Sequence, residues 1–211
     1  MGTGRAAAAL SDSPLSAGEN DAGAGGAEKI HPLGKSPVLE DNGYVLAESG
    51  AILEYLQETW DSGGLLKPQG IDDKLQYRFW LHYAEGSLMP LLLMKLVFAS
   101  LGKPCALWRS LAGFAAGQGI QKTWLDPQLA THARFIDDHL AARPWFAGER
   151  LSMADIQMSF PVMALLARGG MHDLVHIEAW RQRVEQRPAG NAPSSAAALH
   201  LTRRLRYQRI R

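Results

Sequence analysis

One short stretch, residues 36–60, constrains the fold of this chain more than any other. It reads SPVLEDNGYVLAESGAILEYLQETW. Residues 37–40 and 44–47 have the character of two short strands, and Asn42-Gly43 between them supplies the positive φ angles of a two-residue hairpin turn. Glu48-Ser49 then begins a helix whose apolar residues fall on one side. The order predicts a β-hairpin followed at once by a capped helix.

Length, charge and cysteine content limit the class of protein. With 211 residues the chain suits one two-lobed protein or two small domains. The formal net charge of +1 gives no attraction to nucleic acid or to a membrane surface. A single cysteine, Cys105, excludes an internal disulfide framework and is consistent with a reducing cytoplasm. No apolar run reaches the roughly 18–20 residues of a membrane span, and the run at residues 6–10 is too short for a signal peptide.

Both ends of the chain differ in composition from the middle. Seventeen of the residues in segment 1–30 are Ala, Gly or Ser, so this segment is predicted to be disordered. Segment 188–211 begins as a loop and ends in five arginines, which predicts an irregular basic tail. Because no aromatic side chains alternate with most of these arginines and no binding module is recognisable, we expect no nucleic-acid partner.

The middle of the chain predicts helices after a breaker-rich link at residues 61–70. A long helix is expected over about residues 72–100, kinked at Pro90 because proline cannot donate a backbone hydrogen bond. The other helices are predicted at about residues 105–116, 127–142, 153–168 and 173–187, and the second of these places Leu129, Ala133, Ile136 and Leu140 on one face. The fold class is therefore α+β and mostly helical.

Ser152 and Asp155 form the second strong motif, a capping box at the start of a helix. Asp155 lies three residues after Ser152 and can accept a hydrogen bond from the Ser152 backbone N–H. A carboxylate in the first turn also interacts favourably with the helix dipole. We therefore interpret Ser152 and Asp155 as structural rather than catalytic, with a cost of about 1 kcal/mol for Ser152→Ala.

The hairpin-helix unit resembles the second half of the glutathione-binding domain of glutathione transferases. The capping box resembles a motif in the second domain of that family, and the preceding segment 143–149, RPWFAGE, also resembles the family. The resemblance spans most of residues 31–187. It implies a partial thioredoxin-like domain at residues 31–62, an all-helical C-terminal domain at residues 71–187, and a cis peptide bond before Pro37.

The family also implies which residues contact glutathione. The backbone of Ser36 would pair with the cysteinyl part by strand addition. Glu48 would bind the γ-glutamyl ammonium group, and Ser49 with the helix N-terminus would bind its carboxylate. Lys35 can meet a ligand carboxylate, although a lysine beside a strand can also be simply solvated. Ser49 can also act only as the helix cap.

The family's activating residue is not found. In glutathione transferases a Ser, Tyr or Cys near the start of the first helix stabilises the thiolate, and that helix precedes the position matching residues 31–34. Here segment 1–30 stands there instead, and Ser11, Ser13 and Ser16 are not assigned as catalytic. A frame-shifted or mis-started reading at both ends and a shortened, non-catalytic relative are the two explanations. The breaks in composition favour the first.

By resemblance the co-substrate is glutathione, the second substrate is an unidentified electrophile, and a homodimer is expected. The alternatives are a non-catalytic glutathione-binding or interaction protein and an unstable truncated product. Tyr83 and Ser87, on the long helix, are minor candidates for the electrophile pocket. His172 and His176 have a spacing that a helix can offer to a metal, but with no third ligand in the sequence we predict no metal site. Cys105 is interpreted as a packed thiol.

Overall fold

A computed structural model describes residues 30–100, 117–168 and 171–187. Within them the chain forms one two-stranded hairpin followed by helices, which confirms the predicted mostly helical α+β class. Four predictions lie outside the described residues: the disordered segment up to residue 29, the packed thiol of Cys105, the helix at 105–116 and the basic tail at 188–211.

The hairpin belongs to the first of two compact units, which ends at Ile52. Strand β1 (Val38–Asp41) pairs antiparallel with strand β2 (Tyr44–Ala47), so that Val38 lies opposite Ala47. Asn42 and Gly43 have φ angles of 49° and 83°, the sign that the tight turn requires at both positions. The predicted hairpin is confirmed, with β1 displaced by one residue from the predicted range 37–40.

Helix α1 (Ser49–Trp60) follows β2 after a single residue. The division between the two units falls inside it, because the second unit begins at Leu53. The helix ends at Trp60, and the carboxylate of the next residue, Asp61, accepts hydrogen bonds of 2.8 Å from the backbone N–H groups of Leu65 and Leu66. This side chain closes the loop that leads away from α1.

The second unit is helical. Five helices whose bounds the structure describes in full follow α1: α2 (Ile71–Tyr83), α3 (Met89–Ser100), α4 (Asp126–Ala142), α5 (Met153–Arg168) and α6 (Val175–Glu185). Helix α2 packs against α5, and α4 packs against α6. The predicted bounds of α5 are confirmed, whereas α6 begins two residues later than predicted.

Between α2 and α3 lies a π-helical turn, Ala84–Leu88, where the sequence predicted a kink at Pro90. The ring of Pro90 crowds the carbonyl four residues earlier and offers no N–H to it. The chain responds by widening the helix just before the proline, so that Met89 donates its backbone N–H to Ala84. A second π-helical turn, Gln121–Leu125, leads into α4 in the same way, because Pro127 follows it by two residues and Asp126 donates its backbone N–H to Gln121.

The core of the second unit is apolar and centred on aromatic rings. Trp80 of α2 is fully buried, and its ring lies 4.7–5.0 Å from the rings of Tyr83, His139 and Phe146. The predicted apolar face of α4 is confirmed, because all four of its residues are buried: Leu129, Ala133, Ile136 and Leu140. Periodicity in this helix therefore identified its core side correctly.

Candidate functional site

The register of the hairpin places the predicted binding residues at one end of it. Val38 of β1 lies opposite Ala47 of β2, so Ser36 and Glu48 both lie just beyond that pair, at the end away from the turn. The peptide bond between Ser36 and Pro37 is cis. The structure thus brings Lys35 and Ser36, which precede β1, to the same end of the hairpin as Glu48 and Ser49, which follow β2.

Glu48 has an unusual backbone conformation at this point. Its φ angle is 73°, in the left-handed region that few residues other than glycine adopt. Its carbonyl accepts a 3.0 Å hydrogen bond from the N–H of Ile52, the first bond of α1. Glu48 therefore holds the N-cap position and Ser49 is the first helical residue, so the cap is Glu48 rather than Ser49.

The start of α1 offers positive charge density next to an exposed carboxylate. The first N–H groups of a helix have no acceptor within it and carry the positive end of the helix dipole. No acidic residue occupies the first turn of α1, whereas Glu48 is exposed immediately before it. A group that carries an ammonium and a carboxylate together, such as the end of an amino acid, complements this arrangement.

Residues 30–52 contain three hydroxyl side chains and no thiol: Ser36, Tyr44 and Ser49. Tyr44 pairs with Asp41 beside the turn. It lies three residues, or about 10 Å along the strand, from Ala47, the residue of β2 next to the predicted binding residues. Its position does not suit a group that activates a bound thiol at the other end. Ser11, Ser13 and Ser16 lie outside the described residues, and the catalytic group stays unassigned.

The Asp155 carboxylate is the hub of a buried network in the helical unit. It is 1% exposed and accepts 2.9 Å hydrogen bonds from the Phe146 N–H, the Ser152 N–H and the Ser152 hydroxyl. The indole N–H of Trp180 donates a fourth, of 3.0 Å. Burial raises the pKa of Asp155, and these four hydrogen bonds oppose the rise. All four lone-pair directions are engaged within the helical unit, which favours the interpretation of this carboxylate as a structural junction.

Sequence reasoning identified the Ser152 bond of this network but missed Phe146 and Trp180 as donors. Trp180 is 25 residues away from Asp155 along the chain. No spacing rule connects positions so far apart, so the only signal was a tryptophan in a predicted helix.

Two domain families match the chain. The sequence model of the Glutathione S-transferase, N-terminal domain matches residues 28–58, and that of the C-terminal domain matches residues 92–188. Glutathione S-transferase 3 of Schizosaccharomyces pombe is 32% identical over 163 residues, which cover 76% of this chain and 67% of the relative. The chain belongs to the glutathione S-transferase family. It spans about two thirds of that relative's length.

Solved structures show the same fold. An epsilon-class glutathione S-transferase from the housefly, Musca domestica, has a TM-score of 0.67 at 18% identity, covering 87% of this chain and 79% of that one. Ure2p5 from Phanerochaete chrysosporium, cocrystallized with 1-(S-glutathionyl)-2,4-dinitrobenzene, has a TM-score of 0.61 at 23% identity, covering 87% and 82%. The described residues therefore have the glutathione S-transferase fold.

Tyr83 and Ser87, the minor candidates for the electrophile pocket of this glutathione S-transferase, lie in the helical unit. Tyr83 is buried, and its hydroxyl is hydrogen bonded to Nδ1 of His132 on α4. Burial raises the pKa of Tyr83 and lowers that of His132, which favours the neutral form of both groups. Ser87 is half-buried within the first π-helical turn. Tyr83 thus contacts a histidine of a neighbouring helix within the helical unit.

The i, i+4 spacing of His172 and His176, from which we predicted no metal site, would need both histidines on one helix to serve as metal ligands. Helix α6 begins at Val175, so His176 is helical and His172 precedes the helix. Over the described ranges no group of three or more His, Cys, Asp or Glu side chains is arranged to hold a metal ion. In the same ranges, none of the helices combines the length and the hydropathy that crossing a membrane requires.

Proposed function

We propose that this glutathione S-transferase family member binds glutathione at the end of the hairpin formed by Lys35, Ser36, Glu48 and Ser49. The observation that carries the proposal is the left-handed Glu48 at the N-cap of α1, with its carboxylate exposed beside the helix start. Strained backbone conformations in residues other than glycine cluster at active sites and ligand-binding sites. The glutathione conjugate in the Phanerochaete chrysosporium structure supports the choice of ligand.

Each residue has a distinct role in the proposal. Glu48 binds the γ-glutamyl ammonium group, and the Ser49 hydroxyl with the first N–H groups of α1 binds the γ-glutamyl carboxylate. Ser36 offers its backbone to the cysteinyl part of the ligand as an added strand. This is consistent with β1, whose second edge pairs with no described strand. Lys35, exposed before β1, binds a remaining carboxylate.

Calorimetry with glutathione tests the binding site. The double variant Glu48→Ala, Ser49→Ala is expected to lose measurable binding, since it removes the partner of the ammonium group and the hydroxyl that supports the carboxylate. Glu40→Ala is the matched control, because Glu40 is an exposed carboxylate in the same unit, on β1. Unchanged affinity in the double variant removes this assignment.

The proposed reaction is transfer of glutathione sulfur to an electrophile. The nucleophile in this reaction is the thiolate, and a free thiol has a pKa near 8.5, so only a small fraction is ionised at neutral pH. The thiolate forms as the thiol proton passes to water. With an aromatic chloride the thiolate attacks the ring carbon, a C–S bond forms, and chloride leaves. Full-chain protein with 1-chloro-2,4-dinitrobenzene and glutathione tests this by absorbance. A rate above that of glutathione alone supports a transferase, and a rate equal to it supports the alternative, a glutathione-binding protein without catalysis.

A cytoplasmic homodimer completes the proposal. Helix α2 presents apolar side chains to solvent at four-residue intervals, Ile71, Leu75 and Phe79, and such a stripe suits a second copy of the chain. A single cysteine, which cannot form a disulfide within the chain, suits the reducing cytoplasm. Light scattering of the wild-type chain is expected to give the mass of two chains, and Leu75→Glu the mass of one. A monomeric wild type would remove the dimer from the proposal.

A further inference from the structure

Helix α1 belongs to both units of the molecule. Its first turn follows Glu48, whereas its residues from Leu53 onward belong to the helical unit. Leu53 and Leu56 are partly buried and pack against the core of that unit. The helix that begins at the proposed glutathione site is thus held at its other end by the bundle.

Gln57 makes polar contacts in the last turn of α1. It is 8% exposed, and its amide Nε2 donates a 2.8 Å hydrogen bond to the carbonyl of Leu66. Its Oε1 accepts a hydrogen bond of 3.4 Å from the hydroxyl of Tyr77 on α2. We call these three residues the Gln57 bridge. Because an unpaired buried amide is costly, its donor and acceptor are both matched here.

The two partners of Gln57 are themselves fixed. Asp61 holds the loop that carries Leu66, through its bonds to the N–H groups of Leu65 and Leu66. Burial, together with the charges of Glu54 and Glu58, raises the pKa of Tyr77 to about 12, so its hydroxyl stays protonated and donates. The Gln57 bridge therefore joins α1 to a closed loop and to a core helix.

We propose that Gln57 is a positioning residue for the glutathione site, acting through α1 without touching the ligand. Helical hydrogen bonds link each turn to the next, so holding the last turns of α1 limits fraying of the first turn, whose N–H groups face the ligand. Without the bridge, binding must also order the helix start, which weakens affinity. This inference rests on the proposed function.

Calorimetry with glutathione and amide hydrogen exchange on the full-length chain test it together. Gln57→Ala is expected to raise the glutathione Kd about 5-fold or more, the lower range of coupling between sites. The same variant, free of ligand, is expected to exchange the amides of Ile52 and Leu53 several-fold faster. Gln69→Ala is the matched control, because Gln69 is exposed and donates only to the nearby Lys67 carbonyl, at 3.1 Å. It should stay within about 2-fold of the wild type in both measurements.

A purely structural role for Gln57 gives a different result. It would lower the melting temperature while leaving the Kd unchanged. Coupling between two sites is reciprocal. Bound glutathione should therefore slow amide hydrogen exchange in the C-terminal turn of α1 in the wild type, and should slow it less in Gln57→Ala. Tyr77→Phe, which keeps the Leu66 bond, should show a smaller effect in the same direction and provides the test if Gln57→Ala does not fold.

The outcomes separate the two proposals. If the wild type binds glutathione and the Kd of Gln57→Ala stays within about 2-fold of that of Gln69→Ala, the positioning role is overturned and the binding site stands. If the wild-type chain binds no glutathione, the proposed function is overturned and the positioning role with it. A raised Kd with faster exchange at Ile52 and Leu53, confined to variants of the Gln57 bridge, supports both.

Discussion

The hairpin unit and the helical unit differ most in how their side chains are packed. In the helical unit Trp80, Phe146 and Trp180 are buried almost completely. Within residues 30–52, all of which are described, Ile52 is the one buried residue. Tyr44 and Val45 on β2 are exposed. The predicted ligand-binding residues therefore lie in the unit with the least packing, and the core lies in the other.

This difference has a physical basis. A two-stranded hairpin buries little area and is at best marginally stable alone, whereas helices that meet along apolar faces enclose a core. Binding residues need exposed backbone and charge, which a packed core excludes. We therefore expect that substitutions can alter stability and ligand recognition separately in this molecule.

The largest effect is expected from Trp80→Ala. Trp80 contacts several rings in the core, so its removal leaves a large cavity and costs about 3–5 kcal/mol. Val45→Ala, at a strand position that is 42% exposed, should cost less than about 0.5 kcal/mol. Urea denaturation followed by far-UV circular dichroism measures both. Equal losses in the two variants would contradict the division of stability between the units.

A smaller loss is expected from Asp155→Asn. All four hydrogen-bond partners of the carboxylate are donors. In Asp155→Asn the side-chain NH₂ replaces one carboxylate oxygen, so it faces donor groups and the hydrogen bonds to that oxygen are lost. The cost should be about 2–3 kcal/mol, the range for hydrogen bonds to a charged group. Asp138→Asn, an exposed aspartate on α4, should change stability by less than about 0.5 kcal/mol.

Glutathione affinity should be the same in the wild type, Asp155→Asn and Asp138→Asn, measured below the melting temperature of each. A loss of affinity confined to Asp155→Asn would show that this carboxylate acts on the ligand site, against its interpretation as a structural junction.

The sequence predicted the features that depend on near neighbours. Three features follow from residues that are close together in the sequence. They are the turn at Asn42-Gly43, the apolar face of α4, whose residues recur every three or four positions, and the bond between Ser152 and Asp155. The positive φ of Glu48 could not be predicted, because glutamate rarely adopts that conformation.

Contacts between segments that are distant in the sequence could not be predicted either. Asp137 of α4 accepts 2.9 Å hydrogen bonds from the N–H groups of His176 and Ile177, and so caps α6 from another helix. The predicted start of α6 was two residues early because this cap lies about forty positions away. The Gln57 bridge was not predicted, because the sequence does not show that a glutamine on a helix is buried.

Acid is expected to weaken the helical unit through two histidines. Burial lowers the pKa of His132 and of His139 from the ordinary value of 6.5, so the unfolded chain binds their protons more readily. Their contribution to stability is complete above about pH 6.5 and is lost as the pH falls toward their lowered pKa values. Melting temperatures between pH 7.5 and pH 5.5 should therefore decline on acidification.

A double variant isolates this effect. His132→Asn keeps a hydrogen-bond partner for the Tyr83 hydroxyl, and His139→Gln keeps a donor to the Phe146 carbonyl, which His139 Nε2 meets at 2.9 Å. Neither replacement titrates, so the decline should be shallower than in the wild type. Asp155, whose pKa burial raises, shifts stability in the opposite direction, but it is present in both proteins and cancels in the difference. Parallel declines would exclude the histidines as the cause.

The smallest change in stability, and the sharpest separation of stability from binding, is expected from Glu48→Gly. Glycine adopts a φ of 73° without steric cost, so the variant should be as stable as the wild type or more stable by up to about 1 kcal/mol. The same change removes the carboxylate and should weaken glutathione binding at least about tenfold. Asn42→Gly relieves a positive φ in the same unit, at the turn, and should leave affinity unchanged. If Glu48→Gly kept full affinity in calorimetry, the strain at Glu48 would serve the hairpin-to-helix connection alone, and ligand recognition would have to be sought among Lys35, Ser36 and Ser49.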